Sequence, residues 1–381
     1  MIKRYLEDVI PKFMFRNKAV IIFGPRQAGK TTLVKKITEK TAEKTLYISG
    51  DDLGVRNALI PSKEKLAGLT AGYKILVIDE AQKIDDIGNI IKIFTDQISE
   101  VQVIATGSSA FELMSKTSES LTGRKFEFML YPLSFAELVE NSNLIAEKGR
   151  IEERLVMGAY PEVVSIPEFS GRTLKSLATD YLFKDVFSMD GIRYPSVIDK
   201  LVRALAFQVG SEVSNSELSR LTGADNKTIE KYLRILELAY IVFRLPAFSR
   251  NERNEIKKGK KYYFYDNGIR NALIGNLSDL TTRTDSGALW ENYVISERKK
   301  YLSYSENPAR SFFWRTLQQQ EIDYVEETYE GVRAYEFKWN EKAKVRFPET
   351  FVKSYKPLSL KSVNRQNFEE FLIPERFGSQ L

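Results

Sequence analysis

The chain has 381 residues, a net charge of +6 and 43% hydrophobic residues, which suit a globular protein of two or three domains. It contains no cysteine and no histidine, so disulfides, thiol nucleophiles, imidazole bases and zinc-histidine sites are excluded. Any metal must bind oxygen ligands, as Mg2+ and Mn2+ do. The longest apolar runs have only strand length, and the N-terminal segment mixes acidic and basic side chains. We therefore expect neither a membrane span nor a signal peptide, and we predict a cytoplasmic protein.

The first part of the chain alternates strand-like and helix-like segments. Short apolar runs occupy residues 18–23, 45–49, 74–78 and 101–105. Helical spacing of apolar residues occurs at 31–38 and 87–98. This alternation is typical of a parallel β-sheet with helices on both faces. We predict an α/β domain over residues 1–150.

A glycine-rich loop follows the first apolar run. Residues 24–31 read Gly-Pro-Arg-Gln-Ala-Gly-Lys-Thr and fit the P-loop pattern G-x-x-x-x-G-K-[ST], between a strand and a helix. In such a loop, backbone N–H groups surround the phosphates, Lys30 reaches the β- and γ-phosphates and the Thr31 hydroxyl binds Mg2+. The predicted nucleotide-binding residues here are Gly24, Pro25, Arg26, Gln27, Ala28, Gly29, Lys30, Thr31 and Thr32. A chance glycine-rich turn is the alternative interpretation.

Two carboxylates end the third apolar run, Ile75-Leu-Val-Ile-Asp-Glu80, as in a Walker B segment. We predict that Asp79 helps to hold Mg2+ and that Glu80 orients and activates the attacking water as a catalytic base. An acidic residue at position 80 favours an ATPase over a GTPase, which usually positions water with glutamine. The alternative is an exposed acidic strand end. The predicted ligands are ATP and Mg2+, and the predicted reaction is ATP hydrolysis.

The fourth apolar run ends in Ala105-Thr-Gly-Ser-Ser109. A polar residue there is expected between the two Walker segments, where it could contact the γ-phosphate or the water. Thr106 and Ser108 are the candidates, and a plain strand-end turn is the alternative.

Arg124, in Leu121-Thr-Gly-Arg124, is a further catalytic candidate. Phosphoryl transfer is accelerated by a cation placed on the charge that develops at the phosphate. Arg124 could supply that cation to the site of its own chain or to that of a neighbouring subunit in a homo-oligomer. A surface salt bridge is the alternative.

Several of these motifs together resemble a large group of prokaryotic AAA-type ATPases. The matching segments are Gly24-Pro-Arg-Gln-Ala-Gly-Lys-Thr-Thr-Leu33, Ile78-Asp-Glu-Ala-Gln82, Thr106-Gly-Ser-Ser109, Leu121-Thr-Gly-Arg124 and Tyr131-Pro-Leu-Ser-Phe135. In that group, a winged helix-turn-helix and a C-terminal domain follow the ATPase domain. Lys261-Tyr-Tyr-Phe-Tyr-Asp266, followed by Gly268, resembles the join between those two parts. The resemblance implies the fold and the ATP chemistry, and leaves the biological role open.

The middle of the chain is predicted to contain a helical connector (151–192) and then a winged helix-turn-helix (193–266). Ser214 to Gly223 is typical of a short capped helix, and Asn226 to Ala239 predicts a second helix with Ile229, Leu233 and Leu236 buried. Two strands, 241–245 and 261–265, would form the wing.

Basic residues are concentrated in and around this wing. Arg244, Arg250, Arg253, Lys257, Lys258, Lys260 and Lys261 stand against Glu252 and Glu255, a local excess of five positive charges. Such a wing could lie along the phosphates of double-stranded DNA, with Lys227, Lys231 and Arg234 on the exposed face of the recognition helix. A winged helix that only joins domains is the alternative.

The last part, 267–381, is predicted to be an α/β domain that resembles restriction endonucleases. Asp323 lies in one predicted strand, and Glu336 and Lys338 lie in the next, on the same side because they are two residues apart. Asp323 and Glu336 would bind Mg2+ or Mn2+, and Lys338 would activate water or steady the phosphate. Glu291 would assist from a preceding helix. The alternative is a scaffold whose charges form salt bridges.

Two functional hypotheses follow from the whole sequence. In the first, ATP binding and hydrolysis drive a motor or switch coupled to DNA binding and to DNA cleavage. In the second, a slow regulatory ATPase recruits a partner protein, and the C-terminal domain is a non-catalytic scaffold.

Overall fold

The computed structural model describes residues 2–108, 121–180, 186, 192–249 and 259–373. The chain divides into two compact units. The first comprises residues 1–133 and 238–240, and the second comprises 134–237 and 241–381. Among the described residues, no helix is long and apolar enough to cross a membrane.

The first unit is built around a five-stranded parallel sheet, which confirms the predicted α/β class. Its strands are β1 (Ala19–Phe23), β2 (Thr45–Ser49), β3 (Ile75–Asp79), β4 (Gln102–Gly107) and β5 (Lys125–Met129). Their order in the sheet is β2-β3-β4-β1-β5. The helices are α1 (Leu6–Val9), α2 (Lys30–Thr41), α3 (Leu53–Ala58), α4 (Lys63–Leu69) and α5 (Ile87–Gln97), with 3-10 turns at Ile10–Phe13 and Ala81–Lys83.

The central strands of this sheet lie in the hydrophobic core. All five residues of β1 are buried, and so are all six of β4. Ile87, Ile90, Ile91 and Phe94 of α5 are fully buried in the same core, at the spacing of one helix face. Burial on both faces is the reason why these strands are continuous apolar runs in the sequence.

The second unit begins with helices. They are α6 (Phe135–Asn141), α7 (Leu144–Gly149), α8 (Ile151–Met157), α9 (Pro161–Ser165) and α10 (Ser170–Asp180), with a 3-10 turn at Pro167–Phe169. Next come α11 (Pro195–Phe207), β6 (Glu212–Val213), α12 (Asn215–Thr222), α13 (Asn226–Leu238), β7 (Val242–Pro246) and β8 (Lys260–Phe264). The three strands form an antiparallel sheet in the order β6-β8-β7. Ile229, Leu233 and Leu236 of α13 are buried, as the sequence predicted.

A four-stranded sheet forms the last part of the second unit. The elements are α14 (Asn267–Leu273), a 3-10 turn at Leu280–Thr282, α15 (Ser286–Tyr304), β9 (Arg310–Arg315), β10 (Glu321–Thr328), β11 (Gly331–Phe337), α16 (Glu349–Tyr355), β12 (Ser359–Val363) and α17 (Phe368–Leu372). The strand order is β12-β11-β10-β9. Strands β9, β10 and β11 are antiparallel neighbours, whereas β12 pairs with β11 in parallel.

Buried amide and carboxylate side chains hold β8, α14 and α15 together with α8. Asp266 accepts the N–H of Ala159 at 2.7 Å and that of Ile269 at 3.1 Å. The Asn292 side chain accepts the N–H of Phe264 at 2.7 Å and donates to its carbonyl at 3.1 Å. Because each of these buried polar groups has a defined partner, the network fixes the relative position of the elements that it joins.

Candidate nucleotide site and C-terminal carboxylate cluster

The P-loop follows β1 and depends on two glycines. A Cβ atom at Gly24 would lie 2.2 Å from the carbonyl oxygen of Leu130, so no side chain fits there. Gly29 has φ +96°, a conformation that glycine adopts without strain, and α2 begins at the next residue. The N-terminus of α2 therefore faces the loop, as an anion-binding site requires.

Lys30 is buried within this loop. Its Nζ donates to the carbonyl oxygens of Gly24 and Pro25, both at 2.9 Å. The ammonium group is therefore held against the loop, and a phosphate ligand would have to compete for it with two carbonyl groups.

Thr31, Asp79 and Thr106 meet at the carboxyl-terminal edge of the sheet. The Thr31 hydroxyl donates to Asp79 Oδ2 at 2.8 Å, and the Thr106 hydroxyl donates to Asp79 Oδ1. They meet because β4 lies between β1 and β3. The hydroxyl and carboxylate oxygens form a donor set that suits Mg2+, so the residues present fit this metal.

Glu80 and Ser108 form a second group beside the first. Ser108 Oγ donates to Glu80 Oε2 at 3.3 Å, and Gln82 Nε2 donates to the same carboxylate oxygen at 2.6 Å. The structure thus brings together two residues that the sequence nominated, Glu80 and Ser108. Gln82 lies in the motif Ile78-Asp-Glu-Ala-Gln82, for which the sequence predicted no role of this residue.

Arg4 is a residue at this site that the sequence analysis missed. Its buried guanidinium donates to the carbonyl of Ala28 in the P-loop and to that of Tyr131, both at 2.6 Å. Glu7 anchors the same segment, since its carboxylate accepts the Arg4 N–H at 3.0 Å and pairs with Lys36 of α2 at 2.9 Å. The only signal in the sequence was the mixture of acidic and basic side chains in the N-terminal segment, and it did not single out Arg4.

Arg124 lies at the opposite edge of the sheet. Its carbonyl accepts the N–H of Ala19, the first residue of β1, whereas the P-loop follows the last. At about 3.3 Å per residue, the length of β1 separates the two by about 16 Å. Its guanidinium donates to Asp96 at 2.7 Å, and this ion pair raises the pKa of Arg124. The prediction that Arg124 serves the site of its own chain is therefore wrong, and a role in a neighbouring subunit's site stays a prediction.

In the second unit, Asp323, Glu336 and Lys338 lie side by side on β10 and at the end of β11. Lys338 Nζ donates to Glu336 Oε2 at 2.8 Å and to Asp323 Oδ2 at 3.4 Å, and the Phe337 N–H donates to Asp323 Oδ2 at 2.8 Å. Burial and the Asp323 carboxylate raise the pKa of Glu336 to about 7. Among the described residues, no group of three or more acidic side chains is arranged to hold a metal ion.

Lys261 belongs to this cluster and not to a solvent-exposed wing. It is 1% exposed and pairs with Glu291 of α15 at 3.3 Å and with Glu321 of β10 at 2.5 Å. Burial lowers the pKa of Lys261, but the two carboxylates outweigh this effect and raise it. The expectation that Lys261 contacts DNA is therefore wrong, because its charge is neutralised inside the protein. The sequence contains no signal for this burial, because Lys261 to Phe264 are buried on both faces of β8.

The predicted basic wing is only partly described. Arg250, Arg253, Lys257 and Lys258 lie outside the described residues. Arg244 of β7 is exposed, and so are Lys227, Lys231 and Arg234 of α13.

Comparisons with known proteins agree with the geometry of the first unit. Residues 16–139 match a family model described as an AAA domain. The N-terminal part of the chain is therefore similar to AAA domains. The Walker-type ATPase PABY2304 of Pyrococcus abyssi has the same fold, with a TM-score of 0.52 and 15% identity over 72% of this chain and 96% of its own.

The rest of the chain matches families whose description assigns no activity. Residues 148–280 and 286–371 each match a model described as a domain of unknown function. An uncharacterized protein of Mycobacterium tuberculosis is 28% identical over 328 residues, 82% of this chain and 68% of its own. An uncharacterized protein of Haemophilus influenzae is 25% identical over 303 residues, 72% of this chain and 73% of its own. The descriptions of these two relatives name no function.

Replacing Arg4 with alanine is expected to weaken ATP binding about ten- to a hundredfold. The change leaves the carbonyl groups of Ala28 and Tyr131 without their charged donor, a loss of about 1.5–3 kcal/mol, and every 1.4 kcal/mol corresponds to about tenfold in Kd. Titration of a fluorescent ATP analogue measures the effect. Lys3→Ala, which removes an exposed ion pair with Asp8 in the same segment, is the matched control. If Arg4→Ala and wild type bound the ATP analogue with equal affinity, Arg4 would not be needed to hold the P-loop in its binding conformation.

Replacing Lys261 with glutamine is expected to lower the free energy of unfolding by about 3–5 kcal/mol, because a buried ion pair loses one partner. Glu291 and Glu321 would then repel each other without a cation between them. Thermal or urea unfolding measures the change, with the exposed Lys227→Gln as control. A Lys261→Gln chain as stable as the control would show that the lysine is dispensable to the cluster.

Proposed function

We propose that the chain binds ATP with Mg2+ and hydrolyses it, and that the bound nucleotide controls a motor or switch. The observation that carries this proposal is the meeting of the P-loop hydroxyl of Thr31 with Asp79, beside Glu80. An AAA-type domain with the fold of a Walker-type ATPase supports it. The relatives from Mycobacterium tuberculosis and Haemophilus influenzae are uncharacterized, so they do not bear on this activity.

Each residue of the site has a defined part in this reaction. Lys30 and the N–H groups of the P-loop bind the phosphates, and Thr31 with Asp79 would hold Mg2+, which supplies charge neutralisation when bound. Glu80 accepts a proton from the attacking water. Thr106 fixes the orientation of Asp79, since its hydroxyl donates to that carboxylate. The active site thus needs no group that the chain lacks, such as an imidazole base.

Lys30→Ala is expected to abolish ATP binding, because the phosphates lose their main cation. Glu80→Gln is expected to keep binding and to lower turnover by on the order of a hundredfold or more, as removal of a general base does. Phosphate release in the steady state and binding of an ATP analogue measure the two effects. Turnover of Glu80→Gln at the wild-type rate would refute the role given to Glu80.

We further propose that residues 193–266 form a winged helix-turn-helix that contacts double-stranded DNA. Three helices, α11 to α13, followed by the antiparallel strands β7 and β8, support the motif, and the short β6 between α11 and α12 pairs with β8. The exposed Lys227, Lys231 and Arg234 on α13 support the DNA contact. Burial of Lys261 favours the alternative, a winged helix that joins domains, for the β8 side of the hairpin.

Adding duplex DNA to the same turnover assay separates the two functional hypotheses. A motor or switch coupled to DNA is expected to turn over ATP faster with DNA, and to lose that stimulation as salt is raised. A rate that is slow and indifferent to DNA favours the regulatory ATPase that recruits a partner protein. Repeating the assay across protein concentrations reports a homo-oligomer, in which Arg124 could serve a neighbouring site.

A second candidate activity is cleavage of DNA by the C-terminal cluster. The observation in its favour is the grouping of Asp323, Glu336 and Lys338, with a Glu336 carboxyl whose pKa burial and Asp323 raise to about 7. Mg2+ or Mn2+ at Asp323 and Glu336 would activate a water for attack on a phosphodiester. Against it stands Lys338, which already pairs with both carboxylates and so supports the scaffold interpretation.

If the C-terminal cluster is a nuclease site, a bound metal ion should stabilise the folded protein, and the size of this effect should depend on pH. The raised pKa of Glu336 means that the folded state binds more protons than the unfolded state between pH 4.5 and about 7, so metal-free stability falls as the pH rises through this window. Mn2+ binds the ionised carboxylate and is expected to raise the melting temperature more at pH 8 than at pH 6. Glu336→Gln should remove both effects.

Incubation of linear, circular and single-stranded DNA with Mn2+, with and without ATP, completes this test. Cleavage that is lost in Asp323→Ala and Lys338→Ala but kept in Lys353→Ala, a change in an exposed ion pair, would support the nuclease. Absence of both cleavage and Mn2+-dependent stabilisation would leave the domain a scaffold.

A further inference from the structure

Gln82 forms hydrogen bonds with both Glu80 and Ser108. Its side-chain nitrogen donates to Glu80 Oε2 at 2.6 Å and to Ser108 Oγ at 3.3 Å. Ser108 Oγ in turn donates to the same Glu80 oxygen at 3.3 Å. Gln82 is only 3% exposed, so its amide does not exchange these partners freely with solvent.

The backbone around Glu80 is fixed from both sides. Glu80 has φ +50°, and a 3-10 turn over Ala81–Lys83 follows, with the Lys83 N–H donating to the Glu80 carbonyl at 3.0 Å. On the other side, a Cβ atom at Gly50 would lie 2.3 Å from the Glu80 carbonyl oxygen, so the two backbones are in close contact. This turn returns Gln82 towards Glu80. The backbone thus fixes the position of the Glu80 Cβ atom, and hydrogen bonds must determine the position of its carboxylate group.

The hydrogen bond from Ser108 determines the direction in which the Glu80 carboxylate points. Ser108 directly follows β4, the strand that lies between β3 and the P-loop strand β1. A Glu80 carboxylate bonded to Ser108 is therefore turned from the end of β3 towards the end of β4. Neighbouring strands are about 4.8 Å apart, so this turn moves the carboxylate towards the phosphate-binding side of the sheet.

We propose that Gln82 is a positioning residue that holds the Glu80 carboxylate in the orientation from which it accepts a proton from the attacking water. The inference rests on the proposed ATP hydrolysis. In that step, the water oxygen bonds to the γ-phosphorus while the bond from phosphorus to the bridging oxygen breaks, which yields ADP and phosphate. The water proton passes to Glu80. Gln82 transfers no proton, and it acts only through the position of Glu80.

The amide of Gln82 suits this role for a simple reason. Its two N–H groups serve one carboxylate and one hydroxyl at the same time. Methionine has a similar length but no donor, so Gln82→Met removes both bonds while keeping most of the volume. Glutamate in place of Gln82 keeps the shape and adds a charge that repels Glu80.

The test compares single-turnover ATP hydrolysis and binding of a non-hydrolysable ATP analogue in the full chain. The variants are Gln82→Met, Gln82→Glu, Glu80→Gln and the double variant Glu80→Gln with Gln82→Met, with the exposed Gln97→Leu as control. Gln82→Met is expected to slow hydrolysis by about ten- to a hundredfold, the size of effect that a small misplacement of a reacting group produces. Its Kd for the analogue should stay within about twofold of wild type. A loss of about 1.4 kcal/mol in binding free energy would raise the Kd tenfold, so such a loss would be detected.

The double variant distinguishes positioning from a general structural role. If Gln82 acts only through Glu80, Gln82→Met has no further effect in the Glu80→Gln background. A further loss by the same factor, a parallel rise in Kd, or wild-type turnover of Gln82→Met would overturn the inference. Should Gln82→Met fail to fold, as judged by thermal unfolding, Gln82→Glu must show the same slow hydrolysis with unchanged Kd.

Failure of the proposed function gives a different result. A wild-type chain without ATP turnover removes the proposed hydrolysis and this inference with it. Turnover that Glu80→Gln abolishes and Gln82→Met leaves intact overturns the role of Gln82 alone.

Discussion

Parallel pairing of β4 with β1 on one side and with β3 on the other is the constraint on which the nucleotide site depends. Parallel strands end at the same edge of a sheet, so the P-loop, Asp79 and Thr106 emerge there together. The two hydrogen bonds to Asp79 arise from this alignment. The same rule removes Arg124 from the site of its own chain, because that residue precedes β5 and lies at the other edge.

The site also needs support from segments that bind no nucleotide. Arg4 connects the P-loop carbonyl of Ala28 to Tyr131, over a sequence distance of more than a hundred residues. Gly24 and Gly50 permit close backbone contacts with Leu130 and with Glu80. A P-loop is a polar segment, and contacts that restrict its conformation lower the entropic cost of binding a ligand.

The second unit contains a cluster of carboxylates and lysines that form ion pairs with one another. Glu291, Glu321, Asp323 and Glu336 lie near one another on α15, β10 and β11, and Lys261 and Lys338 lie between them. Burial and the neighbouring Asp323 carboxylate raise the pKa of Glu336, in spite of its ion pair with Lys338. Whether this cluster is a metal site or an ion-pair scaffold depends on how readily a divalent cation replaces Lys338. Lys261, held by β8 from the preceding three-stranded sheet, is the cation that links that sheet to the cluster.

The sequence alone determined the parallel α/β class, the P-loop, the Asp79 and Glu80 pair and the buried face of α13, because each is written in local spacing or in a contiguous motif. It also located β10 and β11 of the last sheet, the two strands that carry Asp323 and Glu336. The tertiary structure alone decided the partners of Arg4, Gln82, Lys261 and Arg124. Except for Glu80, which is two residues from Gln82, their main partners lie in other segments of the chain. A long polar side chain has the same local pattern whether it reaches solvent or a buried carboxylate. Only the fold brings the groups that pair with them. Burial makes the pairing of Arg4, Gln82 and Lys261 obligatory, whereas Arg124 forms an ion pair at the surface.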